Sequence, residues 1–275
     1  MSNITKEAVM DLREKTGAGL IDCKRALTET NGDLEEAISI LRKKGVASAA
    51  KKAGREAGEG IISQAISEDH KKGILVEVNC ETDFVAKNED FIAFSKEIAV
   101  ALLSDENVDL ENKRIEQVGK IGENIKINRS RSISSSGIVE SYVHTGGKVA
   151  VLLSLESTEG NLDSNESLSC LAKDLCMHIA ATSPICVSRD DVSEESISKE
   201  KDIALAQAEG KPPQAVEKIV SGKLEKYFST VCLLEQPFVK DPDLTVVELI
   251  KKTSSDSGNE LKVGQFIRFQ VGEET

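Results

Sequence analysis

The sequence contains no tryptophan and few other aromatic residues. Among its 275 residues, 7 are Phe and 2 are Tyr, so aromatic residues make up 3% of the chain. A Phe side chain is strongly apolar and is expected inside a core or at the centre of a binding surface. A Phe placed in a polar connection is therefore a candidate for contact with another molecule.

Long hydrophobic runs are also missing. No run approaches the roughly 20 apolar residues that a membrane-spanning helix requires. The N-terminal stretch MSNITKEAVMDLREKTGAG is amphipathic with charges of both signs, and it has neither the apolar core of a signal peptide nor the acid-poor pattern of a transit peptide. These absences predict a cytoplasmic protein without a membrane segment.

The chain has fewer basic than acidic residues: 35 Lys and Arg against 47 Asp and Glu, for a net charge of -12. A surface that binds nucleic acid or an anionic membrane needs clustered Lys and Arg. We therefore expect no direct contact with nucleic acid. The composition is 39% apolar and 30% charged, which is typical of a globular protein, and the length suffices for two or three units.

The sequence lacks the common motifs of catalysis and cofactor binding. It has neither a GxxxxGK[ST] phosphate loop nor a GxGxxG turn after a strand, and none of the six Cys forms a CxxC pair. We interpret the Cys as reduced thiols. The sequence thus predicts no covalent catalysis, no cofactor and no resident metal.

The three His are far apart in the sequence. His70 lies in a polar loop and is expected to be solvated. His178 lies in an apolar helix, where a hydrogen-bonded core histidine is favoured over a zinc ligand acting with Cys170 and Cys176. His144 ends a strand before a Gly-Gly turn, where it is either a contact residue or a solvated one.

Residues 1–45 are predicted to form a compact module of three short helices. Thr5 is positioned to cap the first helix, Asp33 begins a capping-box pattern for the third, and Gly45 is a plausible stop. Residues 46–59, VASAAKKAGREAGE, are small and charged with repeated Gly, and are interpreted as a linker whose start can be helical. A module this small has a marginal core, and such modules usually serve as docking pieces.

After the linker the pattern changes to β-strands, and one arrangement of strand, turn, strand and helix occurs twice. The first hairpin lies at 60–78 and is followed by a helix at 91–103. The second hairpin lies at 137–155 and is followed by a helix at 168–181. We interpret the repeat as an internal duplication, with one core subdomain at 60–136 and a second at 137–275. The predicted fold class is α+β, built on antiparallel sheets with helices.

The second subdomain is interrupted at 191–229 by two helices joined by Gly210-Lys-Pro-Pro. The second of these helices has an apolar stripe at helical spacing, so we predict an inserted antiparallel helical hairpin, or coiled coil, that projects as an arm. After the arm, residues 230–234 resemble a strand, 246–252 a short helix and 265–271 an antiparallel closing strand.

The segment NCETDFVAKNED, residues 79–90, carries a Phe in an unexpected position. It connects a buried strand to a helix and places Phe84 in the middle of a polar turn. The second copy continues instead as ESTEGNLDSNES, without an aromatic residue, so the unit does not need one to fold. Phe84 is either an anchor that enters a partner's pocket or a residue that packs back beside Phe91 and Phe94.

Several stretches, in the same order along the chain, resemble the bacterial elongation factor Ts family. They are LREKTGAGLIDCKRALTETNGDLEEAISILRKKG, VNCETDFVAKNEDF, KIGENIKINR, SYVHTGGKVAVLL, CMHIAATSP, EGKP and LLEQPFVKDPDLTVVELIK with GQFIRFQVGE. The resemblance runs from about residue 3 to the C-terminus. Motifs this long and this collinear are highly specific.

This resemblance implies a guanine-nucleotide exchange factor for elongation factor Tu (EF-Tu), which it would bind in the GDP-bound and nucleotide-free states. By analogy with the family, the segment Thr82, Asp83, Phe84 and Val85 would enter the GTPase and dislodge Mg²⁺, which promotes GDP release. The N-terminal module would be ubiquitin-associated-like (UBA-like), and the arm would be the family's coiled coil. A homodimer or a 2:2 complex with EF-Tu is a possible assembly.

The resemblance also implies contacts to EF-Tu outside that segment. They are Arg13, Leu20, Ile21, Lys24 and His144. Leu20 and Ile21 stand where Met is common in the family, with side-chain volume kept. Some members carry an additional C-terminal helical module after the GEE-type ending, which this sequence is not expected to have. A protein-binding adaptor that uses the same surfaces without expelling nucleotide is the alternative to an exchange factor.

Overall fold

The computed structural model describes residues 4–157, 162 and 166–273. It combines helices with small antiparallel sheets, which confirms the predicted α+β class. The predicted loop ESTEGNLDSNES, residues 156–167, lies largely outside the described residues. In the part of the chain that the structure describes, each helix is too short or too polar to cross a membrane.

The elements are numbered in chain order. The helices are α1 Lys6–Thr16, α2 Leu20–Glu29, α3 Leu34–Lys52, α4 Asp83–Ala86, α5 Glu89–Ser104, α6 Glu111–Ile121, α7 Glu166–Thr182, α8 Glu194–Gln207, α9 Pro213–Val231 and α10 Val246–Ser257. The strands are β1 Glu59–Ile66, β2 Lys72–Cys80, β3 Lys126–Ser134, β4 Ile138–Val143, β5 Val149–Ser157, β6 Pro237–Phe238, β7 Asp241–Thr245 and β8 Leu261–Gln270.

The first three helices pack around their own apolar centre. Thr5 caps α1 by accepting a hydrogen bond from the backbone N–H of Ala8 (3.2 Å), and Gly17 ends it in the left-handed conformation with a φ of 64°. Asp33 caps α3 through the N–H of Glu36 (2.9 Å). The side chains buried between these helices are Leu12, Cys23, Ala26, Leu27 and Ala37.

Gly45 does not end the third helix, so that prediction was wrong, and α3 continues through it to Lys52. The residues that follow Gly45 are rich in Ala and Lys, which are good helix formers. Ala49 is also buried in the apolar cluster formed by the first sheet and its helices. Burial of Ala49 favours a continued helix over the left-handed turn that a glycine stop provides. The segment predicted as a linker, 46–59, is therefore helical in its first half.

Replacing Gly45 by alanine should raise the free energy of unfolding by about 0.5–1 kcal/mol, because glycine inside a helix costs about that much relative to alanine. Among the described residues, a Cβ atom at Gly45 would meet nothing within 4 Å. Urea denaturation followed by circular dichroism measures the change. Gly17→Ala should destabilise instead, since Gly17 has a positive φ and its Cβ would lie 2.3 Å from Cε of Lys120. Equal shifts for the two variants would contradict this account.

The core is stacked in the order helix, sheet, sheet, helix. Strands β1, β2 and β3 form one antiparallel sheet, in that order, and β4, β5 and β8 form the other. Successive residues of β2 face opposite sides, so Val76 packs under α5 while Leu75 packs against the second sheet. In β5, Leu153 faces α7 and Leu152 faces the first sheet. Apolar layers therefore lie between the sheets and under each helix.

The chain returns to the second sheet after the arm. The predicted closing strand is present as β8, which pairs with β5, and the predicted short helix is present as α10. Thr245 and Glu248 cap α10 reciprocally, because the Thr245 N–H donates to Glu248 Oε2 (2.8 Å) and the Glu248 N–H donates to Thr245 Oγ1 (3.4 Å).

The arm consists of the antiparallel helices α8 and α9. The predicted strand at 230–234 was wrong, since α9 runs to Val231 and a single helical turn, Leu233–Glu235, follows. Phe228 and Val231 continue the apolar stripe of α9 by one more turn and are buried at the base of the arm. The guanidinium of Arg189 lies over the ring of Phe228, 4.5 Å from its centroid. These contacts favour a helix there.

Candidate functional site

Phe84 projects from the connection between β2 and α5. Its side chain is 81% exposed, whereas Phe91 and Phe94 on α5 are buried. The interpretation in which Phe84 packs back beside those two residues is therefore wrong. Aromatic side chains are usually largely buried, so a Phe ring exposed to this extent is a candidate for contact with another molecule.

The turn that carries Phe84 is the short helix α4, and its local sequence explains its shape. Thr82 caps it, because Thr82 Oγ1 accepts a hydrogen bond from the backbone N–H of Val85 (3.3 Å). Ala86 is buried and Val85 packs against the core of the first sheet. Asn88 then caps α5 by accepting from the N–H of Asp90 (2.8 Å). The inner side of the turn is thus anchored, and Phe84 occupies its outer side.

Asp83 stands beside Phe84 on the same exposed side. Lys87 Nζ donates to Asp83 Oδ2 at 2.7 Å, one helical turn away. This hydrogen bond lowers the pKa of the Asp83 carboxyl group and raises the pKa of Lys87. Asp83 is therefore a carboxylate at neutral pH, and the tip presents an apolar ring next to the ion pair of Asp83 and Lys87.

A carboxylate from a distant loop holds the turn from behind. Glu123 Oε2 accepts hydrogen bonds from the backbone N–H groups of Glu81 and Thr82, both at 3.0 Å, and Glu123 Oε1 accepts from Thr82 Oγ1 at 2.7 Å. Glu81 returns the contact, since its Oε1 accepts from the backbone N–H of Asn124 at 2.6 Å. We call these three residues, Glu81, Glu123 and Asn124, the rear clamp.

The rear clamp also binds the chain that leaves the N-terminal module. Asn124 Nδ2 donates to the backbone oxygen of Arg55 at 2.8 Å, and Arg55 Nη1 lies 3.4 Å from Glu81 Oε1. The sequence analysis did not identify these residues as part of a site, although Glu123 and Asn124 belong to the stretch KIGENIKINR, which carries part of the family resemblance. The motif is a signal of their importance, but it does not reveal a contact partner some forty residues away.

Cys80 precedes the turn as a structural residue. It is buried, its Sγ lies 3.2 Å from the backbone oxygen of Thr82, and burial raises its pKa to about 12. The thiol is therefore protonated at neutral pH and is a poor nucleophile.

His144 is exposed at the tip of the β4–β5 hairpin, and its Nδ1 lies 2.9 Å from the hydroxyl oxygen of Tyr142. The hairpin tip is attached to the first sheet, because the N–H of Ile62 donates to the backbone oxygen of Gly147 at 2.7 Å. Lys148 forms an ion pair with Glu59, which is the register partner of Cys80 at the end of β2. The structure thus brings the hairpin tip and the Phe84 turn to the same end of the core.

The remaining candidate residues lie on the N-terminal module. Leu20 and Ile21 lie in the first turn of α2 and are 45% and 75% exposed, so this turn presents two adjacent large apolar side chains to solvent. Arg13 on α1 and Lys24 on α2 are also exposed. The candidate residues therefore lie on three separate elements: the module, the Phe84 turn and the hairpin tip.

His178 is a hydrogen-bonded core residue, as the sequence predicted. Its Nδ1 accepts the backbone N–H of Val239 (3.2 Å), so Nε2 carries the proton and donates to Gln236 Oε1 (2.8 Å). Both nitrogens are occupied, which leaves no lone pair for a zinc site with Cys170 and Cys176. Within the described residues, the His, Cys, Asp and Glu side chains form no cluster that could hold a metal ion.

The stability of the protein should fall as the pH drops below about 6.5, the ordinary pKa of His. Burial lowers the pKa of His178 in the folded chain, so the unfolded chain binds a proton first as the pH falls. The stabilisation that comes from keeping His178 neutral is fully present above about pH 6.5. As the pH falls from there to the pKa of the folded state, the free energy of unfolding decreases by up to about 1.4 kcal/mol per pH unit. Urea unfolding at pH 7.5 and 5.5 measures this, and His178→Gln should show a smaller fall. The same fall in both proteins would contradict the assignment to His178.

The sequence is similar to known proteins of one family. Residues 81–273 match the family model described as Elongation factor TS. The chain is 46% identical to the Elongation factor Ts of Clostridium perfringens, 45% identical to that of Clostridium botulinum and 45% identical to that of Halothermothrix orenii. Each alignment covers 98% of this chain and 93% of the relative. The matched range includes the Phe84 turn, the rear clamp and the hairpin tip.

Proposed function

The chain belongs to the elongation factor Ts family, and from this premise we propose that it is a translation elongation factor that acts as the guanine-nucleotide exchange factor of EF-Tu in the bacterial cytoplasm. It binds EF-Tu·GDP, promotes release of GDP and leaves when GTP rebinds. The function is binding and release, without covalent catalysis.

The observation that carries this proposal is the exposed Phe84 ring on a supported turn. The ring is 81% exposed, although the turn behind it is capped and hydrogen-bonded on several sides. A large apolar side chain held out on a rigid support is suited to insertion into another protein, because little conformational entropy is lost when it binds. We assign this insertion to the segment Thr82–Val85.

The insertion acts by coupling two binding equilibria. The phosphates of a GTPase-bound nucleotide are held by backbone N–H groups and by Mg²⁺. A segment that displaces the partner's elements around Mg²⁺ weakens both interactions, and by linkage the nucleotide weakens binding of the exchange factor by the same factor. Each 1.4 kcal/mol of coupling changes the affinity for nucleotide about tenfold.

Several separated contacts allow the factor to bind tightly and still be displaced. We propose that Arg13, Leu20, Ile21 and Lys24 contact EF-Tu from the N-terminal module, and that His144 contacts it from the hairpin tip. The strong exposure of Leu20 and Ile21 supports the first assignment. The attachment of the hairpin tip to the first sheet, at the end that carries Phe84, supports the second.

We also propose that the N-terminal module is UBA-like and that the core arose by duplication. The compact packing of α1 to α3 supports the first point. The second is supported by two hairpins, β1–β2 and β4–β5, each of which leads along the chain to a helix that covers its sheet. The arm is proposed to be the family's coiled coil, and assembly as a homodimer or a 2:2 complex with EF-Tu is part of the same proposal.

Stopped-flow measurement of a fluorescent GDP analogue tests the proposed function. The analogue is bound to EF-Tu, and its release is followed with and without the chain in the presence of excess unlabelled GDP. We expect release to accelerate with chain concentration and to approach a plateau. An unchanged release rate, together with detectable binding to EF-Tu, would establish the adaptor alternative instead.

A further inference from the structure

We propose that Glu123 is a positioning residue for nucleotide exchange, because its carboxylate holds the Thr82–Val85 turn in the orientation from which Phe84 enters the partner. This inference rests on the proposed exchange function. Glu123 itself lies behind the turn, on the loop between α6 and β3.

The hydrogen bonds to Glu123 come from three donors on the turn and its approach. They are the N–H groups of Glu81 and Thr82 and the hydroxyl group of Thr82. A carboxylate is an acceptor-only group with two oxygens, which matches three donors without leaving one unpaired. The hydroxyl proton of Thr82 is directed to Glu123, so the lone pairs of Thr82 Oγ1 remain free to accept the N–H of Val85.

The turn cannot hold this orientation through its own helical bonds. The helix α4 has four residues, far below the length at which an isolated helix is stable in water. Val85 and Ala86 anchor its inner side by apolar contact, which is non-directional and leaves rotation about the helix axis weakly restrained. Glu123 supplies the directional contacts, and it does so from an element that joins α4 only in the folded structure.

The rear clamp also connects the turn to the N-terminal module. Asn124 binds the backbone oxygen of Arg55, and Glu81 binds both Asn124 and Arg55. Two proposed contact surfaces, the module and the Phe84 turn, are thereby held to one loop. None of these contacts uses the Glu123 side chain. Loss of Glu123 should therefore affect the orientation of the turn more than the affinity of the remaining contacts for EF-Tu.

The first experiment measures the mobility of the turn without any partner. The chain has no Trp, so Phe84→Trp introduces a single fluorescent reporter at the tip. Time-resolved anisotropy should show an indole that moves mainly with the whole protein. Adding Glu123→Ala should increase the amplitude of fast local motion, and adding Glu116→Ala should not. Glu116 is an exposed glutamate on α6 paired with Lys120, and it serves as the matched control.

The second experiment separates release from binding in chains that retain Phe84. For Glu123→Ala, the plateau rate of GDP release should fall about tenfold, while affinity for nucleotide-free EF-Tu stays within about threefold. Glu123→Gln should stay close to the original rate, because its amide oxygen can accept the two N–H groups and its NH₂ can donate to Thr82 Oγ1. This rescue identifies hydrogen-bond geometry, and not charge, as the contribution of Glu123.

The outcomes distinguish the two proposals. If a folded Glu123→Ala accelerates GDP release as well as the original chain does, the positioning role is overturned and the exchange function stays intact. The same holds if Glu123→Ala loses release rate and affinity for EF-Tu to an equal extent. If the original chain does not accelerate release, the exchange function fails, and the anisotropy experiment still decides whether Glu123 holds the turn. Should Glu123→Ala not fold, Glu123→Asp keeps the carboxylate but shortens the side chain by one methylene group, so that it cannot reach all three donors, and it must show the same separation of rate from affinity.

Discussion

Replacing Phe84 by alanine should slow the accelerated release of GDP from EF-Tu by roughly thirtyfold or more. Truncating an aromatic side chain that is buried in a partner typically weakens the interaction by about 2 kcal/mol or more. Only the state in which the ring is inserted loses this stabilisation, so the barrier to GDP release rises by a similar amount. The measurement is the plateau rate of release of a fluorescent GDP analogue, with binding to nucleotide-free EF-Tu determined in parallel.

Two controls make this result specific to the ring. Val100→Ala truncates another exposed apolar side chain, on α5 and 58% exposed, and should leave the release rate unchanged. The stability of Phe84→Ala should stay within about 0.5 kcal/mol of the original, because Phe84 buries little surface within its own chain. If folded Phe84→Ala accelerates release as well as the original chain, the insertion mechanism is wrong, and exchange must then depend on the N-terminal module and the hairpin tip.

Replacing Arg129 by alanine should lower the free energy of unfolding by about 3–5 kcal/mol, because it leaves a buried carboxylate without its ionic partner. Arg129 Nε donates to Glu77 Oε2 at 2.7 Å, and Glu77 is fully buried in β2. The same guanidinium lies 4.3 Å from the ring centroid of Phe269, and its Nη2 donates to the backbone oxygen of Gln270 at 2.9 Å. It therefore connects the first sheet to the final strand β8.

Urea denaturation monitored by circular dichroism measures this loss, and Arg131→Ala is the matched control. Arg131 lies on the same strand, β3, with an exposed side chain, so its replacement should cost no more than about 0.5 kcal/mol. Equal losses for the two variants would show that the pair with Glu77 contributes nothing particular. Partial recovery of Arg129→Ala by Glu77→Gln would support the unpaired charge as the cause.

Local sequence patterns predicted most of the regular elements. Alternating apolar residues located both hairpins, and helical spacing located α5, α7 and α10. The two errors have one cause. At Gly45 the local pattern suggested a helix stop, but burial of Ala49 favours continuation of α3. At 230–234 the pattern suggested a strand, but burial of Val231 favours continuation of α9 to that residue. In both segments, burial in the tertiary structure outweighed the local sequence preference.

The candidate site was predictable in position but not in arrangement. A Phe in a polar turn could be located from sequence, and the family resemblance identified the residues around it. The direction of the ring could not be decided, because packing beside Phe91 and Phe94 was equally consistent with the spacing. The contacts that brace the turn come from Glu123, whose loop is distant in sequence, and no periodicity connects the two.

The sequence by itself determined the α+β class, the caps at Thr5 and Asp33, and membership of the elongation factor Ts family. These features depend on residues within a few positions of one another or on long collinear motifs. Only the tertiary structure decided that Phe84 points outward, that Glu123 holds its turn and that His144 lies at the same end of the core. Those relations join elements that are far apart in the chain, and they exist only once the two sheets have packed against each other.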